Sequence, residues 1–336
     1  MQGRKRLIMG ECNNGDYCIF IFNGGMMMLK FTLKRFGYML MTLFIAASIT
    51  FFLIHTMPGD PLGTVGRELP EQIKANYYAK YGLDKPLITQ YGYFIKNAVQ
   101  GDLGESLNYP GRSVTGTIVK SAPISARIGG QALLVGVSIG IILGIIAAFN
   151  RGKWPDYLVM FIAIVGIAVP SFVVASLLQW LLTVKFRILP TTGWGEVRHT
   201  ILPTIALSFG SIATYARYMR TNCLDVIGQD YILTAKAKGV SKLSLVFNHV
   251  IRNAILPAIT LIGPQVAGIF TGSFVIESIY GIPGLGQYFV EAITSRDYNM
   301  IMGQSIFISA LFIVALFLVD IIYGLVDPRI RAARER

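Results

Sequence analysis

Between Asp230 and Pro257 the chain gathers its densest set of side chains able to act on a partner. Asp230 can cap a helix N-terminus by accepting backbone N–H bonds. Ile232 to Lys238 then makes about two turns, and Gly239 supplies the left-handed residue that ends them. Ser241 can cap a second helix running on to Pro257. Ala235 and Ala237 are small enough for a partner groove to approach closely, so the chemistry on offer is docking rather than catalysis. A basic loop resting on lipid headgroups is the alternative for this stretch.

Other reactive patterns fail on spacing. Gly111 and Gly116 have the separation of a phosphate loop, but Thr117 stands where its lysine must follow. Gly281 to Gly286 lacks the dinucleotide-binding spacing and reads as a rigid turn. The chain therefore has no ATP site of its own. Cys12, Cys18 and Cys223 follow no metal or disulfide pattern, so no metal site and no resident cofactor is expected.

These residues lie in a chain that is 53% hydrophobic and 14% charged over 336 residues, with a mean hydropathy of +0.56. Bilayer is the natural solvent for that composition. A net charge of +12 could point to nucleic acid. The positive residues instead flank apolar segments rather than forming an aromatic-interleaved stripe, so membrane orientation accounts for the charge better than a nucleic-acid surface does. A helix needs about 20 residues to cross roughly 30 Å of hydrocarbon. Six stretches qualify, about 36–57, 127–149, 157–183, 200–219, 257–279 and 303–325. The expected fold is thus an all-α membrane protein with six transmembrane helices.

Lys30, Lys34, Arg35, Arg151, Lys153, Arg217, Arg220, Lys236, Lys238, Arg252 and Arg329 share one side if both termini are cytoplasmic, which places 230–257 there too. Residues 28–57 then form the first span and 58–126 an extracytoplasmic segment. Residues 127–325 form a five-helix core containing the loop 220–256, and 326–336 a cytoplasmic tail. Residues 1–27, rich in Gly, Asn and Met ahead of Met28, read as a non-native or mis-started extension. In the outer segment, Pro70 to Gly82 and the stretch from Pro86 read as helices, followed by a turn at Gly101 to Leu107. Together they make a small packed cap.

Within the spans ionisable groups are scarce. Glu277, Asp320 and His55 fall near span ends, where water can reach them. Gln131, Gln179, Gln265 and Gln304 read chiefly as interhelical hydrogen-bonding groups. A proton-coupled carrier needs a titrating relay in mid-membrane, and none is evident. Helix breakers at Pro170-Ser171 and Gly263-Pro264 can act as hinges or as static kinks. Pro170, Gln179, Gly263, Pro264, Gln265 and Glu277 are accordingly the candidates for a translocation path or hinge. Ala132, Gly136, Gly140, Gly144 and Ala148 form a small-residue stripe, read as tight packing within the subunit.

The loop resembles the signature "EAA" loop of ABC importer permeases at Asp230, Ala235, Ala237, Gly239, His249, Asn253, Ala254 and Pro257. The chain also looks like peptide permeases at Met57 to Pro61, Tyr81 to Pro86, Gly101 to Gly104, Ser273 to Gly286 and Asp327 to Arg329. It resembles most closely the B-type membrane subunit of oligopeptide importers. The Asp230-Tyr231 start, where other importers often have Glu-Ala, is common in the peptide branch. The resemblance implies a type I importer with a MetI-like permease fold. By the same resemblance, Asp230, Tyr231, Thr234, Ala235, Ala237, Lys238 and Gly239 belong to an ATPase-coupling helix, supported by His249, Arg252, Asn253 and Pro257. Asp102 and Glu105 are the candidates for contact with a binding protein. It further implies a homologous second permease, two ATP-binding subunits that use ATP and Mg, an extracytoplasmic peptide-binding protein, and peptide cargo in a multi-pass cell-membrane complex. Dipeptide, nickel or glutathione cargo within the same family is the alternative reading, and a secondary carrier a more distant one.

Overall fold

The structure, a computed structural model, describes residues 16–56, 82–109, 111–259 and 261–326, together with isolated positions between 72 and 79. The expected helix at Pro70 to Gly82, the peptide-permease-like stretch at Met57 to Pro61 and the tail from Asp327 on lie mostly or wholly outside these residues. Among the described residues every regular element is helical, apart from a single bridge between Glu105 and Ser113.

Helix α1 spans Asp16–His55 and α2 spans Leu87–Val99. Helix α3, Val114–Phe149, has 36 residues. At 1.5 Å per residue it is about 54 Å long, more than a bilayer core requires. It begins well before residue 127 because Ser113 caps it, the hydroxyl accepting from Gly116 N at 3.1 Å. Part of the expected outer segment is therefore continuous with the second apolar stretch.

Helices α4 (Trp154–Ala168) and α5 (Ser171–Gln179, extended by a π-wound turn Trp180–Lys185) divide the third apolar stretch. The two halves are bent by 104°. A proline disfavours the α conformation in the residue before it, and Val169 is extended at φ −90° and ψ 122°. Helix α6 covers Arg198–Ile227, and the short α7 covers Asp230–Ala237. A π-wound stretch, Leu245–Ile251, leads into α8, Arg252–Ile259. Helix α9 (Ile262–Tyr280) turns through Gly281 (φ +61°) into α10, Leu285–Ser295. Helix α11, Tyr298–Val326, ends the described chain.

Among the described residues, three helical segments are long and apolar enough to cross a membrane: Thr32–His55, Val114–Phe149 and Tyr298–Val319. The bent α4–α5 pair makes a fourth if taken as one span. Their apolar side chains point outward in quantity, Phe44, Leu53, Leu134, Ile142, Phe161, Ile164 and Leu318 among them, as expected of surfaces solvated by lipid. Helix α6 is different. It carries Ser208 and Ser211 on its buried side, which is why apolarity alone marks it weakly.

Helix α6 forms the axis of the fold, with α3 packed along it. The small-residue stripe makes this possible. A Cβ at Gly136 would sit 2.6 Å from Ser211 Cβ, at Gly140 2.6 Å from Tyr215 Cβ, and at Gly144 2.6 Å from Ala216 O. Nothing but hydrogen fits there, so the stripe serves packing within the chain, as expected. One core cluster surrounds Tyr215, Met219 and Cys223 and extends to Ile232, Leu245 and Val250. A second joins Ile128, Leu202, Leu207 and Ile276 towards the opposite end of α6. A third packs Phe51, Leu107, Tyr298 and Met302 under the cap.

Candidate functional site

The polar island folds as an elbow. Helix α7 runs from Asp230 to Ala237, and Gly239 (φ +75°) reverses the chain. Gly239 N donates to Lys236 O at 3.0 Å and Val240 N to Ala235 O at 3.2 Å, closing the helix end. Ser241 Oγ accepts from Ser244 N at 3.4 Å at the start of the return. Asp230 does not cap. Gln229 holds the cap position with extended backbone and Asp230 is the first helical residue, where its charge still favours the helix dipole.

The faces of α7 differ from those expected. Ile232 and Ala235 turn inward onto Leu245 and Val250, Ala235 retaining only 8% exposure. Ala235 therefore anchors the elbow to its own chain. Tyr231, Leu233, Thr234, Lys236, Ala237 and Lys238 are exposed. Leu243 and Phe247 extend this free apolar surface onto the return stretch. A two-turn helix shows too little periodicity to reveal which side is buried.

Two of the expected supporting residues, His249 and Asn253, bond to each other within the return. Asn253 Nδ2 donates to His249 O at 2.7 Å, and Asn222 Nδ2 of α6 donates to Ala254 O at 3.1 Å. Arg252 and Pro257 are exposed on α8. At the same end of the molecule Arg220 binds Asp156 through Nε–Oδ1 at 2.5 Å and Nη2–Oδ2 at 2.9 Å. Gly152 N also donates to Asp156 Oδ2 at 3.0 Å.

Of the residues expected to form a path or hinge, two line a cavity of about 390 Å³ at the α4–α5 break, namely Pro170 and Gln265. Ser171, Gly210, Ser211 and Thr214 share its wall. Ser211 Oγ donates to Gln265 Oε1 at 2.8 Å. The others lie elsewhere. Gln179 Nε2 donates to Thr191 O at 2.9 Å and Ile279 O at 3.2 Å, an interhelical tie. A Cβ on Gly263 would meet Val319 of α11 at 2.8 Å, so Gly263 permits close packing. Pro264 stands in the first turn of α9, where a missing N–H costs no bond.

Glu277, expected within reach of water near a span end, is fully buried instead. Helix α10 folds back over it, and Glu277 Oε2 accepts from Gly286 N at 2.7 Å. Ser125 Oγ of α3 accepts from Leu285 N at 2.8 Å in the same cluster.

On the cap, Asp102 Oδ1 accepts from Gly104 N at 2.9 Å, and Asp102 is exposed. Asp102 and Glu105 line a cleft of about 480 Å³ with Lys85, Tyr93 and Asn97. The fixed point behind this surface is Asp297, which is fully buried. It accepts from Ser106 Oγ, from Leu107 N at 3.2 Å and from Met300 N at 3.1 Å, capping α11 while clamping the turn. The only sequence signal for Asp297 is an acidic residue one position before a long apolar helix. Beside it Glu291, hydrogen-bonded to the Tyr109 hydroxyl, raises the Tyr109 pKa. No group of three His, Cys, Asp or Glu able to hold a metal ion occurs among the described residues.

Residues 140–332 match the family described as binding-protein-dependent transport system inner membrane component, and residues 28–121 match its N-terminal counterpart. The chain is 42% identical over 308 residues to the dipeptide transport system permease protein DppB of Bacillus subtilis, covering 92% of this chain and 100% of that one. It is 41% identical over 306 residues to the oligopeptide transport system permease protein OppB of Salmonella typhimurium, covering 90% and 100%. A solved amino acid ABC transporter with histidines aligns at a TM-score of 0.48 and 17% identity, over 64% of this chain and 94% of that chain. The chain belongs to the binding-protein-dependent transport system inner membrane components, and its apolar helices make it a multi-pass membrane protein of the ABC importer permease class.

Proposed function

We infer that this chain is one permease subunit of an ATP-driven peptide importer. The observation that carries the reading is full-length similarity to peptide permeases, at 42% to a dipeptide and 41% to an oligopeptide system. That near-equality makes peptides as a class the proposed cargo. The elbow supports it. A short helix held by Ile232 and Ala235, with Tyr231, Leu233 and Thr234 free, is a rigid knob for a soluble partner.

In this reading six spans place both termini and the elbow in the cytoplasm, and α7 docks on an ATP-binding subunit. A homologous second permease completes the pathway, two ATP-binding subunits use ATP and Mg, and an extracytoplasmic binding protein delivers peptide over the surface around Asp102 and Glu105. The Asp156–Arg220 pair joins α4 to α6 beside the elbow, so motion of α7 passes into the helices that wall the Pro170 cavity.

The test is reconstitution of the chain with its companion subunits in vesicles. ATP-dependent uptake of labelled di- to pentapeptides is expected. Uptake driven by a proton gradient without ATP would overturn the reading.

A further inference from the structure

The cavity at the α4–α5 break has a chemistry of its own. No described residue on its wall is ionisable. Ile167, Val174, Leu207 and Ile269 give it an apolar body, and Ser171, Ser211, Thr214 and Gln265 give it polar points. Ser211 donates to the oxygen of the Gln265 amide. That bond leaves the Nε2 end as a donor for whatever enters. Thr214 Oγ1 is turned back onto Gly210 O at 2.9 Å. A volume of about 390 Å³ lies within the roughly 300–1,000 Å³ of small-molecule sites.

Broken backbone at membrane depth persists only where it is buried in protein or lines a watery cavity, and broken helices build substrate sites in other transporters. Here the Val169–Pro170 break forms the cavity wall itself. A carboxylate or ammonium entering would lose water and meet no counter-charge. An apolar side chain with its flanking amide would lose little and gain an amide partner.

The geometry points to this cavity as a subsite that receives one uncharged side chain of the passing peptide, its flanking amide facing Gln265, so that the permease itself discriminates by side-chain size and charge. The inference rests on the peptide-importer reading and adds a selective step inside this chain.

Gly210 allows a direct test. A Cβ there would meet only Gly166 O at 3.8 Å, ordinary contact, so Gly210→Ala adds bulk to the cavity wall without a clash, and Gly210→Leu carries more of it into the cavity. Uptake of Ala-Phe-Ala and Ala-Ala-Ala is measured in the reconstituted complex, variant against wild type with the same binding protein, which cancels that protein's own preference. Gly210→Leu is expected to lower the Phe-to-Ala uptake ratio by about tenfold, the scale of a lost hydrophobic pocket. Gly210→Ala is expected to lower it in the same direction and by less, which keeps the test decisive if the leucine variant fails to assemble. An unchanged ratio in assembled variants, or equal loss of both substrates, overturns the subsite. Wild-type complex that assembles and hydrolyses ATP but imports neither peptide overturns the importer reading instead.

Discussion

Asp156 and Arg220 meet through two parallel bonds, at 2.5 and 2.9 Å, that tie the first turn of α4 to the last third of α6. Gly152 N completes the carboxylate at 3.0 Å. The aspartate is almost wholly enclosed, and the bidentate geometry is the form in which arginine pairs are strongest. This clamp sits beside the elbow and holds α4 to α6 there.

Asp156→Asn should therefore destabilise the chain by ~3 kcal/mol, because it leaves a guanidinium in a partly buried site without its counter-charge. Arg220→Lys should recover only part of the loss, since an ammonium cannot form the two-pronged contact. Thermal melts in detergent at neutral pH should place Asp156→Asn well below wild type and Arg220→Lys between the two. Equal melting temperatures for all three would sink the assignment.

The stripe on α3 gives a paired prediction. A Cβ at Gly140 would stand 2.8 Å from Ile212 O, a backbone atom that cannot step aside, whereas one at Gly130 meets nothing within 4 Å. Gly140→Leu should cost about 1–3 kcal/mol through overpacking, and Gly130→Leu almost nothing. Yield of monodisperse protein on size exclusion separates the two. Equal behaviour would mean that α3 does not rest on α6 as described.

What the sequence makes legible is local. The elbow's reversal at Gly239 and the break before Pro170 follow from single residues with restricted backbones. The α3 stripe follows from a four-residue spacing on one face. What it hides is carried by distant partners. Asp297 and Ser106 are 191 positions apart, and nothing near either predicts the pair. Glu277 looked accessible because it lies near the end of an apolar run, and only the return of α10 encloses it. The path residues divided for a similar reason. Pro170 and Gln265 come from separate helices that meet at one cavity, while Gln179 and Gly263 are spent on packing.

Asp297 should prove to be the main fastener of the cap. Its carboxylate serves the α11 N-terminus and the turn at Ser106 and Leu107 together. Asp297→Ala removes a helix cap, about 1 kcal/mol alone, and strands the buried Ser106 hydroxyl and Leu107 amide, about 1–3 kcal/mol more. Hydrogen exchange should rise across residues 103–109 and the first turn of α11 while α6 stays protected. Uniform loss of protection would point to global unfolding rather than release of the cap.

The elbow gives the sharpest contrast, because neighbouring residues on one short helix face opposite ways. Leu233 is 59% exposed and Ala235 8%. Leu233→Asp should leave the melting temperature of the isolated chain unchanged yet abolish stimulation of the ATPase and peptide uptake in the reconstituted complex, since it alters only the surface offered to a partner. Ala235→Trp should lower the melting temperature first, because an indole cannot enter the space beside Leu245 and Val250. Gly239→Asp should lie between. Its left-handed backbone (φ +75°) costs a non-glycine residue roughly 1–2 kcal/mol, which loosens the reversal and the orientation of α7. Melts and coupled ATPase assays on the three variants separate docking from anchoring. If Leu233→Asp lost stability and kept coupling, α7 would be a structural brace and the partner would bind elsewhere.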